Sequence, residues 1–155
     1  MAIDIGIDAK TRKKVAGALE QVLTDTYALY TKTHGYHWNV EGPRFSQLHL
    51  LFETQYNELW TSLDPMAERI RALGHYAPSG ESISGKTVIK ADTGVPDEDG
   101  MLANLAAGNE AVVKAARTAL TTAEEAGDQA TADLMTQRVS AGEKAPWMLR
   151  AHVAK

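Results

Sequence analysis

The chain has 155 residues, a formal net charge of −4 and a pI near 5.7. One domain spanning 1–155, with room for a real core, is expected at this length. The absence of cysteine excludes a disulfide framework, a thiolate metal site and a cysteine nucleophile, and fits a reducing cytoplasm. The acidic balance argues against a strongly basic nucleic-acid binder, no apolar run approaches a membrane span, and the N-terminus lacks an apolar signal core.

Residues 1–9 are short and mildly apolar. Lys10, Arg12, Lys13 and Lys14 then form a small basic cluster. It reads as a solvated first helical turn, with a nucleic-acid arm as the alternative. A first helix is expected over 10–38, because Val15, Ala18, Leu19, Val22, Leu23, Thr26, Leu29/Tyr30 and His37 follow a helical period. His37 therefore continues the inward face. His34, three residues earlier, is either a support for it or an exposed residue.

Gly42 and Pro43 mark a turn over 39–43. A second helix is expected over 44–73, with apolar residues at 45, 48, 52, 56, 59, 63, 66/67, 70 and 73. Pro65 lies inside it and is expected to bend it beside Asp64. Residues 74–96 form a long Gly- and Pro-containing connection, with a short helical turn expected within 81–88. Such length suits a crossover that returns the chain to the far end of the second helix. His75 reads as a loop residue at its start. A third helix is expected over 97–126, with Asp97, Glu98 and Asp99 favouring its N-terminus. Gly127 stops it, Asp128 caps the next, and a fourth helix is expected over 129–151, kinked at Pro146.

The chemistry concentrates in the first two helices. His49 and Glu53 are one turn apart, as are Asp64 and Glu68, so each pair stacks on one helix face. The four fall within an arc of about 100°. Yet His49 and Asp64 are 15 residues apart, which is about 22 Å along one helix. They share a face but cannot share a site within one chain. An antiparallel copy of the helix about a two-fold axis near residue 58 or 59 would bring the pairs together, and would make two equal sites at once. The bland alternative is a solvated acidic face with histidines that only pack or hydrogen-bond. Mixed imidazole and carboxylate ligands, if assembled, suit iron(II).

Five segments, HWNVEGPRF, LHLLFETQY, DPMAERIRALG, AGDQATADL and EKAPWMLRA, together with ligand candidates 12, 16, 27 and 31 residues after His37, resemble the Dps family, the DNA-binding proteins from starved cells or miniferritins. The resemblance implies an all-α, ferritin-like four-helix bundle with a long crossover between its second and third helices, assembled as a hollow dodecamer. It implies oxidation of iron(II), typically with hydrogen peroxide, and storage of ferric mineral. By position it implies a ferroxidase centre with His37, His49 and Glu53 from one subunit and Asp64 and Glu68 from its partner, Glu68 being the candidate bridging ligand. Trp38 is either an electron donor for stray radicals or a large core or interface aromatic. Trp60 is expected in interface packing. Asp128 and Asp133 resemble acidic residues lining three-fold pores through which iron is taken up; the alternatives are that Asp128 merely caps a helix and Asp133 is solvated. The chain departs from the family at Glu53, where Asp is commoner, at Gly142, where His is frequent, and at Pro146.

Iron is thus the expected metal, and copies of the chain, iron(II) and peroxide the expected partners, in the cytoplasm. The competing reading is a DNA-compacting shell, nucleoid-associated. With a short N-terminal arm and only Lys155 at the C-terminus, DNA contact is expected to be weak. A third reading, a helical interaction module without metal chemistry, leaves the five spaced ligand candidates unexplained.

Overall fold

The computed structural model describes residues 2–153, apart from the side chain of Glu81; Lys155 lies outside them. Among the described residues there are five helices and no strand. These are α1 (Ala9–Asn39), α2 (Phe45–Ala72), the single turn α3 (Glu81–Ser84), α4 (Glu98–Glu125) and α5 (Gln129–Ala151). The four long helices follow the expected spans to within one residue at each end, and α3 falls where the short turn was expected. Pro65 and Pro146 both lie inside unbroken helices.

Helix ends are set by local chemistry. The Asp8 side chain accepts from the Thr11 N–H, and the Asp97 side chain from the Gly100 N–H, satisfying amides that a helix start leaves without partners. Between α1 and α2 the chain turns through Gly42, whose φ is 131°. A Cβ there would lie 2.7 Å from the Glu98 carboxyl group, so only glycine lets the turn approach the start of α4.

That approach defines the topology. The Arg44 amide and guanidinium bind Glu98 at 2.8 and 2.9 Å, its guanidinium reaches Asp99 at 2.6 Å, and it also donates to the His152 carbonyl. The start of α4 and the end of α5 therefore meet the α1–α2 turn. At the opposite end Arg12 donates to the Leu73 carbonyl, Lys14 pairs with Glu125, and Arg69 pairs with Asp128. The crossover must run the length of the bundle, so α4 lies parallel to α2, as in the ferritin-like bundle. It is tied down on the way. The buried Asp25 carboxylate accepts from the Val88 N–H and Thr87 hydroxyl, and Asp92 accepts from Lys32 and Tyr36.

Two apolar clusters fill the interior, one at each end. The first gathers Leu19, Val22, Met66, Ile70, Ala116 and Met135; the second gathers Leu29, Leu48, Phe52, Met101, Leu105 and Leu149. Most of the expected apolar stripe of α2 is buried, but Phe45 is 45% exposed and Tyr56 is only half-buried. Phe45 begins the helix, where the neighbouring helices no longer cover it, and its ring lies against His49. No helix among the described residues is long and apolar enough to cross a membrane.

Candidate metal centre

His37 sits in the last turn of α1, and His49 sits one turn into α2. The short turn between the helices places the two side by side. Their rings stack at 3.8 Å between centroids, 17° from parallel. Nδ1 of His37 lies 2.8 Å from the His49 carbonyl, and Nδ1 of His49 lies 2.7 Å from the His37 carbonyl. A carbonyl only accepts, so each Nδ1 carries its proton and donates. In the neutral form this sets the tautomer of both rings and leaves each Nε2 a lone pair. The exchange also has a local cause. The His37 carbonyl belongs to the last turn of α1, where helix carbonyls lack backbone partners, and the His49 ring supplies one. Imidazoles held by Nδ1–H bonds with Nε2 free are arranged as metal ligands usually are.

Glu53 lies one turn along from His49 and is half-buried; Asp64 and Glu68 are exposed on the same side of α2. Asp64 borders a groove lined also by Leu23, Tyr27, Trp60 and Ala67. The chain thus brings His37 and His49 together and leaves Asp64 and Glu68 apart from them. Among the described residues no group of three or more His, Asp or Glu side chains is placed to hold a metal within one chain.

Behind His37 lies a group of rings. Tyr56 meets His37 edge-on at 5.1 Å and stacks on His34 at 3.9 Å. The Tyr30 hydroxyl lies 3.0 Å from His34 Nδ1. Burial, then the neighbouring Tyr27 and Tyr56, push the Tyr30 phenol up, while burial and then the nearby His37 push the His34 imidazole down. Both shifts favour the neutral forms. Trp38 lies against His34 at 4.2 Å yet is 65% exposed, and Trp60 lies against Tyr30 at 5.1 Å and is 56% exposed. Within this chain Trp38 is not a core residue. Tyr30 and Tyr56 had no expected role beyond apolar packing. The signal that could have marked Tyr30 is a phenol four residues before a histidine on α1; Tyr56 has no such mark.

Asp128 is 2% exposed. Its carboxylate accepts from the Thr131 N–H and hydroxyl and from Arg69, at 3.0, 2.6 and 2.7 Å. Burial works to raise its pKa, but those hydrogen bonds and the Arg69 charge outweigh it and hold the group low. It is the cap of α5. Asp133 is exposed and, among the described residues, accepts from Gln137 at 3.1 Å. His75 and His152 are engaged at helix ends: the His75 N–H and carbonyl bond Ile70 and Arg71, and His152 Nδ1 donates to the Met148 carbonyl. In the basic cluster, Arg12 is spent on the Ile7 and Leu73 carbonyls and Lys14 on Glu125, leaving Lys10 and Lys13 exposed.

Residues 16–155 match the ferritin-like domain family. An uncharacterized low temperature-induced protein of Nostoc sp. is 39% identical, over 97% of this chain and 86% of its own length. DNA protection during starvation protein 2 of Bacillus anthracis is 34% identical, over 90% of this chain and 96% of its own. Among solved structures, the Dps protein of Vibrio cholerae, described as a member of a broad superfamily of ferritin-like diiron-carboxylate proteins, superposes with a TM-score of 0.93 at 33% identity, covering 99% of this chain and 98% of that one. DpsC of Streptomyces coelicolor superposes with a TM-score of 0.95 at 27% identity, covering 100% and 92%. With this bundle, this crossover and these relatives, the chain belongs to the ferritin-like domain family, within its Dps branch.

Proposed function

We propose that the protein oxidises iron(II), with hydrogen peroxide as the preferred oxidant, and stores the ferric product inside a dodecameric shell of its own copies. The observation that carries this reading is the reciprocal lock of His37 and His49, which presents two imidazole Nε2 lone pairs side by side. Glu53 adds a carboxylate from the same chain, and Asp64 and Glu68 of a second copy complete the set across a two-fold axis. Iron(II) is the substrate here: its borderline character suits imidazole and carboxylate donors. Two irons held together supply the two electrons that one peroxide needs, with two protons, to become two waters, so no hydroxyl radical is released. Trp60, exposed on the face that carries Asp64, is the interface aromatic of this arrangement.

Stopped-flow absorbance with iron(II) and either oxidant tests it. Faster oxidation with peroxide is expected. Equal or faster rates with dioxygen would defeat the preference, and no oxidation by either would defeat the function.

The Bacillus anthracis relative is named for DNA protection, and removal of iron(II) and peroxide protects DNA without contact. Phosphate contacts supply most non-specific affinity, and here Arg12 is already engaged by backbone carbonyls, while Lys14 pairs with Glu125 at the surface. Weak duplex binding at physiological salt is expected in gel-shift titrations; tight binding that survives moderate salt would make Lys10 and Lys13 the place to look.

A further inference from the structure

We propose that Glu98, at the start of α4, is a positioning residue for the candidate metal centre: through Arg44 it fixes the N-terminus of α2 and so keeps His49 in register with His37. The inference rests on the reading of those two histidines as metal ligands. Their lock needs a fixed offset between two helices. Each Nδ1 reaches a carbonyl on the other helix, at 2.8 and 2.7 Å. Hydrogen bonds of this kind span about 2.7–3.2 Å, so a slip of α2 along α1 by about 1 Å breaks both. Each ring is then free to turn, and the two Nε2 atoms lose their common direction.

Both helices are tied to α4 at this end of the bundle. The end of α1 is held through Tyr36, the neighbour of His37: its hydroxyl donates to Asp92 at 2.6 Å and accepts from Asn104, on α4, at 3.0 Å. The start of α2 is held through Arg44, whose amide donates to one Glu98 oxygen at 2.8 Å and whose guanidinium donates to the other at 2.9 Å. In a capping box a Glu of the same helix takes the amide of the N-cap residue. Here Arg44 is the N-cap of α2, and the Glu comes from another helix. Glu98 is only 8% exposed, and α4 does not need it for its own start. Asp97 caps α4, and Asp99 also places negative charge in its first turn. The glycine at 42 is shaped to the same carboxyl group, so the whole α1–α2 turn is moulded on one side chain. A merely stabilising ion pair would account for the charges; Arg69 with Asp128 is such a pair, at the other end of α2. It would not account for both Glu98 oxygens being spent on the residue that opens α2, five residues before His49.

The test titrates iron-free assembled protein with cobalt(II) under argon, because the visible ligand-field bands of cobalt report how imidazole and carboxylate ligands are arranged. Glu98→Gln is the variant of choice: it keeps the side-chain volume and an acceptor for the Arg44 amide, whereas Glu98→Ala risks the fold. Residues that orient metal ligands typically contribute about 10- to 100-fold to affinity, and Glu98 acts one step further out, so a loss of about 10-fold with an altered ligand-field spectrum is expected. Asp128→Asn, which removes the ion pair at the far end of α2, is the control and should match the parent in affinity and spectrum. Arg44→Lys should reproduce the Glu98→Gln loss, and the two combined should lose little more than either alone, because they act through one contact. A second readout contains no metal. Amide hydrogen exchange over residues 40–50 should quicken in Glu98→Gln and stay unchanged in Asp128→Asn. Parent-like cobalt affinity in Glu98→Gln, an equal loss in Asp128→Asn, or unchanged exchange over 40–50 would each overturn the proposal. A parent protein that binds no cobalt would overturn the reading of the histidines as ligands, and the positioning role with it; that outcome is distinct from a parent that binds cobalt and a Glu98→Gln variant that binds it equally well.

Discussion

The two helical hairpins of the bundle are of similar size and opposite construction. All aromatic side chains except Tyr76 and Trp147 lie on α1 or α2, as do His34, His37 and His49, whereas α4 has none. The α4–α5 hairpin meets instead through small residues: Ala116, Ala119, Ala123 and Ala132 are buried, and Gly142 abuts Val113. Close approach of small residues leaves little room for added volume. The α1–α2 hairpin keeps its helices apart with rings, and its three histidines are held by hydrogen bonds beside a face that the chain itself leaves uncovered. One hairpin is a clamp, and the other carries the candidate ligands His37, His49, Glu53, Asp64 and Glu68. Loss of clamp residues should cost stability, whereas loss of residues on the open face should cost activity.

The largest effect expected is on activity. His37→Ala with His49→Ala in one protein, and Asp64→Ala with Glu68→Ala in a second, should each nearly abolish iron oxidation while the shell still assembles. Co-assembled, they should recover part of it. A dimer of one variant with the other has one site with every ligand intact and one that keeps only Glu53, so random pairing restores up to about one site in four by isologous geometry. The distance argument behind this is simple: about 22 Å of helix separates His49 from Asp64, and metal–ligand bonds are about 2 Å. Verified mixed shells as inactive as either parent would show that the two pairs do not serve a common site.

Next comes Asp128, where the clamp closes onto the end of α2. Asp128→Ala removes the α5 cap and strands the half-buried Arg69 guanidinium, which together should cost about 2 kcal/mol or more. Asp128→Asn keeps one capping oxygen but loses the charge and one of the two acceptor oxygens, so it should cost less than Asp128→Ala. The pH dependence separates the two contributions. Hydrogen bonds and Arg69 hold the folded carboxyl below its ordinary value of 3.8, so its contribution is present above that pH and disappears as pH falls through the folded value. The gap between wild type and Asp128→Asn in denaturant melts should therefore narrow on acidification below about pH 4. A gap that is constant with pH would mean that the ion pair contributes nothing.

A smaller effect is expected within the clamp. Gly142→Ala places a Cβ 2.6 Å from Val113 Cγ2. Alanine gains about 1 kcal/mol over glycine in a helix interior, but forcing a methyl into a filled core costs about 1–3 kcal/mol. The second outweighs the first, so a net loss near 1 kcal/mol is expected. Adding Val113→Ala should relieve the clash, making the pair less destabilised than the sum of the singles. Simple additivity would mean that the two residues are not in contact.

What could be read in the sequence divides along the same line. Helix spans came from periodicity, a local property, and the structure keeps them. The stripe His49, Glu53, Asp64 and Glu68 was legible because helical spacing alone sets which residues share a face. The His37–His49 lock was not, since a ring nitrogen bonding a backbone carbonyl of another helix leaves no mark on spacing. The path of the crossover was equally hidden. Asp25 looks like a polar interruption of an apolar face until the Val88 N–H and Thr87 hydroxyl are seen to use it. Phe45 shows the converse: its place in the period was right, but periodicity carries no information about where neighbouring helices end. At Asp128 the cap and pore alternatives were both compatible with its position before α5, and the nearby Arg69 was not visible from 59 residues away.

The smallest effect tests whether charge on the clamp hairpin serves the chemistry at all. With the Asp128 carboxylate enclosed by Thr131 and Arg69, Asp133 is the acidic residue near the start of α5 that still faces solvent. Among the described residues it accepts an exposed hydrogen bond from Gln137, so Asp133→Asn should leave melting unchanged. If three copies of Asp133 converge at a pore, the substitution removes a ring of like charge that concentrates cations, and focusing of this kind raises capture rates by about 10-fold or more for a full charge cluster. One ring of a single residue should account for a few-fold of that. Iron uptake by an intact Asp133→Asn shell should therefore slow by a few-fold at low salt. The wild-type advantage should shrink as ionic strength rises to about 0.15 M, where the Debye length falls to about 8 Å and solvated charges are screened. The salt dependence is the decisive part, because a structural defect would slow uptake equally at every salt concentration. Uptake that is unchanged at low salt would leave α5 as a purely mechanical element and return Asp133 to the solvated surface.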